Sequence, residues 1–126
     1  SALDSSKIVS YVATDNYQGG ALAAKRLGAL LKGEGKIILL RYAVGSASTE
    51  EREKGFTDTI AQEFPKITYL SDTEYAGATS DLAQQKGQNL VTRYRQVVDG
   101  IFCPNESSTF GMLRALEGAG MLGARR

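Results

Sequence analysis

The sequence predicts an α/β domain of three layers, in which an open parallel β-sheet lies between helices. Four short apolar runs alternate with four longer segments whose apolar residues recur every three or four positions, and these patterns are typical of strands and amphipathic helices. One run, residues 36–41 (KIILLR), is almost wholly aliphatic, which favours a strand buried on both faces of a parallel sheet. Strict alternation of the two element types is typical of parallel strands joined by crossover helices.

The chain begins with a strand, a helix and a second strand. The apolar run IVSYVA predicts a strand over residues 8–13. A helix is expected to begin at Asn16, because apolar residues then recur at helical spacing, and the Gly33-Glu34-Gly35 turn should end it. The aliphatic run at residues 36–41 follows as the second strand.

The second helix has a recognisable start signal. Ser48 and Glu51 have the spacing of a capping box, in which the serine oxygen accepts a hydrogen bond from the first turn and the glutamate reaches back. We therefore expect this helix to begin near Thr49. Pro65 should close it, because proline cannot continue a helix.

The rest of the chain repeats the alternation. A short strand is predicted over residues 67–70, followed by a loop at 75–79 and a helical apolar stripe at 83–94. A fourth strand is predicted over residues 97–103 and a last helix over 105–120.

Composition excludes several kinds of function. With 15 basic and 14 acidic side chains, the net charge of +1 gives no field that would attract nucleic acid or anionic lipid. The chain has no histidine and a single cysteine, Cys103, which excludes an internal disulfide, zinc-type sites and histidine acid–base chemistry. We predict no catalytic residue, no metal and no cofactor, and we expect Cys103 to be buried as a small apolar residue.

Polar side chains gather where the predicted strands end. In open parallel sheets, ligands bind beyond the carboxyl ends of the strands, and these ends are followed here by hydroxyl, amide, arginine and tyrosine side chains. This mixture suits a polyhydroxylated ligand, whose hydroxyls need donors and acceptors while its ring face packs on an aromatic. The candidate ligand-binding residues are Asn16, Ser46, Ser48, Arg52, Tyr75 and Asn105.

Arg52 stands where helix electrostatics disfavour it. It follows Glu50 and Glu51 in the first turn of a helix, and a positive charge there opposes the helix dipole by roughly 0.3–1 kcal/mol if exposed. Two explanations remain open. Either a carboxylate, Glu51 or Asp72, pairs with Arg52 at the surface, or the guanidinium projects into a cleft and donates paired hydrogen bonds to a ligand.

Four segments together resemble a known family. They are TDNYQGGALAAKRL at 14–27, GSASTEEREKGF at 45–56, the YAGAT loop at 75–79 and FCPNESSTFGMLRALEGAG at 102–120. In this order they resemble the type I periplasmic sugar-binding proteins of ABC transporters, the ribose-binding-protein-like group. The resemblance covers nearly the whole chain. It implies the fold of one lobe of such a protein, with flavodoxin-like topology, and a periplasmic or other extracytoplasmic location.

The resemblance also implies roles for individual residues. Arg52 and Asn105 match family residues that hydrogen-bond the sugar, and Tyr75 falls near a family aromatic that contacts it. Ser46 and Ser48 match positions that contact the ligand in some members and act as spacers in others.

By the same resemblance, the chain is the second lobe only. Residues 1–14 would form the strand that crosses between lobes, and residues 15–126 a truncated C-terminal lobe. Asp15 and Asn16 match a pair beside the crossover, so a hinge or helix-cap role is at least as compatible with their position as ligand contact. The edges along residues 8–13 and 98–103 would lie open in an isolated lobe, and a homodimer through exposed edges is expected.

The function implied by the resemblance is capture of a sugar or similar polar solute for an ABC transporter permease, with no enzyme activity and no nucleic-acid partner. Two alternatives remain open. One is the effector-binding core of a LacI-type transcriptional regulator, which has a related fold. The other is an enzyme domain that holds a phosphate at the helix start near Gly45 and Ser46.

Overall fold

The computed structural model describes residues 7–9 and 15–122, and within them strands and helices alternate along the chain. All strand pairs are parallel, and the strands lie in the order β1-β4-β2-β3. The open parallel α/β sheet predicted from the sequence is confirmed. The strands are β1 (Ile8–Val9), β2 (Glu34–Leu39), β3 (Lys66–Ser71) and β4 (Gly100–Phe102), and the helices are α1 (Asn16–Leu30), α2 (Ala47–Glu63), α3 (Ser80–Tyr94) and α4 (Glu106–Gly118).

The sheet buries apolar side chains on both faces. In β2, Ile37 and Leu39 pack on the face covered by α1 and α2, whereas Ile38 packs on the face covered by α3 and α4. This division follows from the alternation of side chains along a strand. On the first face, the rings of Phe56 and Phe102 stack with their centroids 4.2 Å apart. The near-continuous aliphatic pattern of β2 is thus explained by burial in a three-layer domain.

Helices α1 and α2 approach each other closely at two glycines. A Cβ added to Gly20 would overlap the carbonyl oxygen of Arg52, and one added to Gly55 would overlap the carbonyl oxygen of Tyr17. Glycine, which has no Cβ, is therefore the residue that permits this approach. The two contacts hold the start of α2, including Arg52, against the first turns of α1.

Helix α2 begins earlier than the sequence predicts. Its N-cap residue is Ser46, whose side chain makes no capping hydrogen bond, and the predicted capping box of Ser48 and Glu51 is wrong. Instead, the Glu50 carboxylate accepts a hydrogen bond from the Gly45 amide at 2.9 Å. The physical reason is the backbone of Gly45, whose φ of 89° is available to glycine without steric cost and turns the chain into the helix sooner.

The outer edge of β4 is covered, which corrects one expectation. Strand β1 pairs in parallel with β4, and the Cys103 amide donates to the Val9 carbonyl at 3.1 Å. The edge expected to lie open over residues 98–103 is therefore occupied here by the chain itself, which satisfies its backbone groups.

Several predictions about organisation stay untested. The strand expected over residues 8–13 is described only at Ile8–Val9, since residues 10–14 lie outside the described part of the chain. The division into a crossover strand at 1–14 and a lobe at 15–126 stays a prediction, and so does the homodimer.

Candidate functional site

Arg52 connects three segments at the edge where the strands end. Its Nε donates to Asn16 Oδ1 at 2.9 Å and its Nη1 to the carbonyl of Pro104 at 2.8 Å. The side chain is half-buried, and within the described residues it forms no ion pair with a carboxylate. The surface pair with Glu51 or Asp72 considered above is therefore not found. Both acceptors are neutral oxygens.

Part of the Arg52 guanidinium has no hydrogen-bond partner among residues 15–122. Its Nη2 makes no hydrogen bond to any residue between 15 and 122. The Nδ2 group of Asn16 is likewise without a partner in that range. Asn16 is the first residue of α1, whose N-cap is Asp15; the Asp15 carboxylate accepts from the Gln18 amide at 3.1 Å. The helix-cap role weighed for the Asp15-Asn16 pair thus belongs to Asp15, and Asn16 holds Arg52.

Asn105 caps the helix beside this cluster. Its Oδ1 accepts from the Ser108 amide at 3.2 Å and from the Ser108 hydroxyl at 2.6 Å. The Ser108 hydroxyl also lies 3.3 Å from the Asn105 amide, which completes a capping box at the start of α4. The Asn105 Nδ2 makes no hydrogen bond within the described residues, so it is free to donate. The Asn105 to Ser108 spacing could have revealed this cap from sequence, because it is the common N-cap pattern.

The remaining candidates lie around this cluster. Ser46 precedes α2, and Ser48 is exposed in its first turn. Tyr75 is 36% exposed and joins Arg41 through an isolated main-chain bridge. Among the described residues, no side-chain hydrogen bond links these three to Arg52. A role for each of the six as a ligand contact stays a prediction.

A second arginine, Arg41, forms an ion pair that the sequence did not predict. Its Nη1 lies 3.3 Å from Oε1 of Glu53, and Oε2 of Glu53 accepts from the Tyr42 amide at 3.0 Å. The Glu53 side chain is 1% exposed, and burial raises its pKa, opposed in part by the Tyr42 amide and by Arg41. Sequence gave no signal for this pair, since Glu53 stands in a charged run typical of an exposed helix face.

Cys103 is fully buried, as predicted, and burial raises the pKa of its thiol to about 12. In residues 7–9 and 15–122, no group of three or more Cys, Asp and Glu side chains is arranged to hold a metal ion. No helix in that part of the chain is long and apolar enough to cross a membrane.

The fold and the site together define a class. A parallel α/β domain with hydrogen-bond donors beyond the strand ends that no described residue uses has the features expected of a small-molecule-binding domain. Residues 1–125 match the family described as periplasmic binding protein domain. The chain belongs to this family, which confirms the resemblance seen in the four sequence segments.

The curated relatives are solute-binding proteins. The chain is 35% identical over 118 residues to the ribose import binding protein of Salmonella typhimurium, a match that covers 90% of this chain and 37% of the relative. It is 28% identical over 122 residues to the xylitol-binding protein of Mycolicibacterium smegmatis, with 97% and 34% covered. The chain thus spans well under half the length of these relatives.

Solved structures show the same likeness. The periplasmic component of an ABC-type sugar transport system from Hahella chejuensis superposes with a TM-score of 0.78 at 37% identity, covering 90% of this chain and 45% of that one. A periplasmic solute-binding protein of an ABC transporter from Actinobacillus succinogenes, solved with bound D-allose, has a TM-score of 0.78 at 30% identity and covers 90% and 39%. These structures confirm the fold class.

Proposed function

We propose that this chain forms one lobe of a protein that binds a sugar or sugar alcohol in a cleft between two lobes and delivers it to an ABC transporter permease. The observation that carries the proposal is Arg52. It is half-buried, it is fixed by two neutral acceptors, and it keeps N–H groups that no described residue uses.

The free donors favour a polyol as the ligand. Nη2 of Arg52 and Nδ2 of Asn16 and Asn105 are all donors. The acceptor atoms of the two asparagines are already used, because Asn16 Oδ1 accepts from Arg52 and Asn105 Oδ1 accepts from Ser108. Sugar hydroxyls accept such hydrogen bonds without bringing a charge into the cleft. Two similar proteins are named for ribose and xylitol, and a third was solved with bound D-allose. These ligands support the same class.

The mechanism we propose is capture by closure. A ligand that contacts both lobes only in the closed state shifts the hinge equilibrium toward closure by its differential affinity for that state. In this proposal Arg52, Asn16 and Asn105 supply hydrogen bonds from this lobe, Tyr75 supplies an aromatic contact, and the permease recognises the closed form. The ligand is not chemically changed.

The proposed setting is the periplasm or another compartment outside the cytoplasmic membrane. The ribose relatives are import proteins by name, which favours transport over gene regulation. A gel-shift assay against promoter DNA distinguishes the two, because a regulator binds DNA and a transport protein does not. Release of phosphate from nucleotides or sugar phosphates would instead support the enzyme alternative.

The direct test is a thermal-shift screen of the full-length protein. We expect one or more of ribose, xylitol and allose to raise the melting temperature, since a ligand that binds only the native state stabilises it. Amino acids, as polar solutes without a polyol ring or chain, serve as controls. A shift with a control solute and with no sugar or sugar alcohol would contradict the proposal.

The 126-residue chain by itself should bind free sugars weakly. With one lobe contributing, we expect dissociation constants on the order of millimolar or weaker, which corresponds to about 4 kcal/mol or less. Calorimetric titration of the 126-residue chain measures this. Micromolar affinity for a sugar would show that the other lobe, which this chain does not contain in our proposal, is not required.

A further inference from the structure

We infer that the ion pair of Arg41 and Glu53 is a positioning element of the ligand site: it fixes residues 72–77, here called the Tyr75 loop, relative to the turn of α2 that carries Arg52. The inference rests on the proposed function, because Tyr75 and Arg52 are its proposed ligand contacts. In this inference Arg41 and Glu53 position the ligand contacts without contacting the ligand themselves.

The Tyr75 loop is attached to two residues that follow β2. The Arg41 side chain donates from Nε to the Asp72 carbonyl at 2.6 Å. The Arg41 amide donates to the Glu74 carbonyl at 2.9 Å, and its carbonyl accepts from the Ala76 amide at 2.7 Å. The Tyr42 carbonyl accepts from the Gly77 amide at 2.8 Å. Arg41 and Tyr42 therefore hold the loop at both of its ends.

Both of these residues are attached in turn to Glu53 on α2. One carboxylate oxygen lies 3.3 Å from Arg41 Nη1, and the other accepts from the Tyr42 amide at 3.0 Å. Glu53 directly follows Arg52 in α2. A single buried carboxylate thus connects the turn that carries Arg52 to the residues that hold the Tyr75 loop.

The sheet alone does not supply this connection. Pairing between β2 and β3 shifts register between Ile37 and Ile38, and its last pair joins Ile38 to Ser71. Beyond that point the described loop is joined to the chain after β2 by the isolated bridge of Arg41 with Tyr75 and by the hydrogen bond from the Gly77 amide to the Tyr42 carbonyl. Because the ladder is interrupted before the loop, the position of the loop follows that of Arg41 and Tyr42, which Glu53 contacts.

The energetics favour a positioning role over a purely stabilising one. A buried ion pair loses hydration energy that its attraction offsets only in part, so its net contribution to stability is small, and we assign Arg41 and Glu53 a role in specifying one arrangement. In agreement, burial outweighs Arg41 and the Tyr42 amide in setting the raised pKa of Glu53.

The first test measures the loop without any ligand. Hydrogen exchange of the Ala76 and Gly77 amides, followed by NMR in the 126-residue chain, reports whether the loop is held. In Glu53→Gln we expect both amides to exchange faster by about tenfold or more, while amides at the centre of β2 change less, because the opening is local. Glu63→Gln is the matched control, with the same substitution on the same helix at a side chain that is 47% exposed.

A second variant keeps the test valid if Glu53→Gln does not fold. In Arg41→Lys the ammonium retains the charge but lacks the planar fork that reaches Asp72 and Glu53 together. We expect the same two amides to exchange faster, by a smaller factor than in Glu53→Gln. Unchanged exchange at Ala76 and Gly77 in the folded variants would overturn the inference.

The second test measures sugar affinity in the full-length protein. For a sugar that stabilises the wild type, we expect Glu53→Gln to weaken binding by about tenfold, as for the loss of roughly one hydrogen bond, and Glu63→Gln to leave it unchanged. Faster loop exchange with unaltered affinity would overturn the positioning role. Failure of the wild type to bind any sugar would instead refute the proposed function, and it is seen before any variant is made.

Discussion

Two arginines near the carboxyl ends of the strands have opposite environments. Arg41 pairs with Glu53, whose side chain is 1% exposed, and retains 24% exposure of its own side chain. Arg52, one residue before Glu53, donates only to neutral oxygens and leaves Nη2 without a described partner. Residues 52 and 53 of α2 therefore differ: Glu53 pairs with Arg41, whereas Arg52 itself has no carboxylate partner among the described residues.

The difference concerns whether the fold itself compensates the charge of an arginine. A guanidinium that pairs with a buried carboxylate has its charge compensated internally, and removal of the carboxylate leaves an uncompensated charge. A guanidinium fixed by an amide and a carbonyl oxygen is oriented but keeps its charge and part of its donors for an outside partner. Arg41 should therefore matter most for structure and Arg52 most for binding.

The largest loss of stability is expected for Glu53→Ala. This change leaves Arg41 without its carboxylate, leaves the Tyr42 amide unpaired and opens a cavity. Breaking a fully buried pair costs roughly 3–5 kcal/mol, and we expect about 2–4 kcal/mol here because Arg41 is partly exposed. Urea unfolding of the 126-residue chain measures the free energy. The control Glu63→Ala should change it by less than about 0.5 kcal/mol; equal losses in both variants would refute the assigned role of the pair.

A somewhat smaller loss is expected for Gly20→Ala. The added Cβ would overlap the Arg52 carbonyl and force α1 and α2 apart, at a cost of about 1–3 kcal/mol. Gly118→Ala is the matched control, because a Cβ there meets nothing within 4 Å, and alanine in a helix is favoured over glycine by about 0.5–1 kcal/mol. Urea unfolding should therefore show opposite signs for the two variants. Tolerance of Gly20→Ala would show that the close helix contact is not needed to position Arg52.

The smallest effect concerns pH. The raised pKa of Glu53 means that the folded chain binds this proton more tightly than the unfolded chain does. The stability that this group contributes is therefore present at acid pH and is lost as pH rises from the ordinary glutamate pKa through the raised one. Compared with Glu53→Gln, the wild type should lose unfolding free energy over that window. If the unfolding free energy of the wild type relative to Glu53→Gln stays constant or grows with pH, Arg41 and the Tyr42 amide fully offset the effect of burial on the Glu53 pKa, or exceed it.

Local patterns in the sequence predicted most of the fold. The alternation of strands and helices depends on the spacing of apolar residues along the chain, and it was confirmed in every described element. The start of α2 was missed because the conformation of Gly45 outweighed a plausible capping box at Ser48. The covering of β4 by β1 was also missed, since strand pairing between distant segments leaves no local signal.

The site was predictable in its residues but not in its connections. Arg52 was singled out as a cation in the first turn of a helix, but α2 begins at Ala47 and places Arg52 in its second turn. What the structure adds is that Arg52 forms no ion pair with a carboxylate in the described part of the chain. Its bond to Asn16 depends on the approach of α1 and α2 at Gly20, which brings together residues distant in sequence. For the same reason the pair of Arg41 and Glu53 could not be foreseen.

The most direct measurement is the effect of Arg52→Ala on both affinity and unliganded stability in the full-length protein. We expect affinity for the stabilising sugar to fall at least about tenfold, because a charged hydrogen bond contributes roughly 1.5–3 kcal/mol. Unliganded stability should fall by only about 1–2 kcal/mol, since the change removes two hydrogen bonds to neutral oxygens and no ion pair. Arg26→Ala, at an exposed position of α1, should change neither quantity. An Arg52→Ala protein that is strongly destabilised yet binds its sugar with unaltered affinity would contradict the assignment of Arg52 to the ligand.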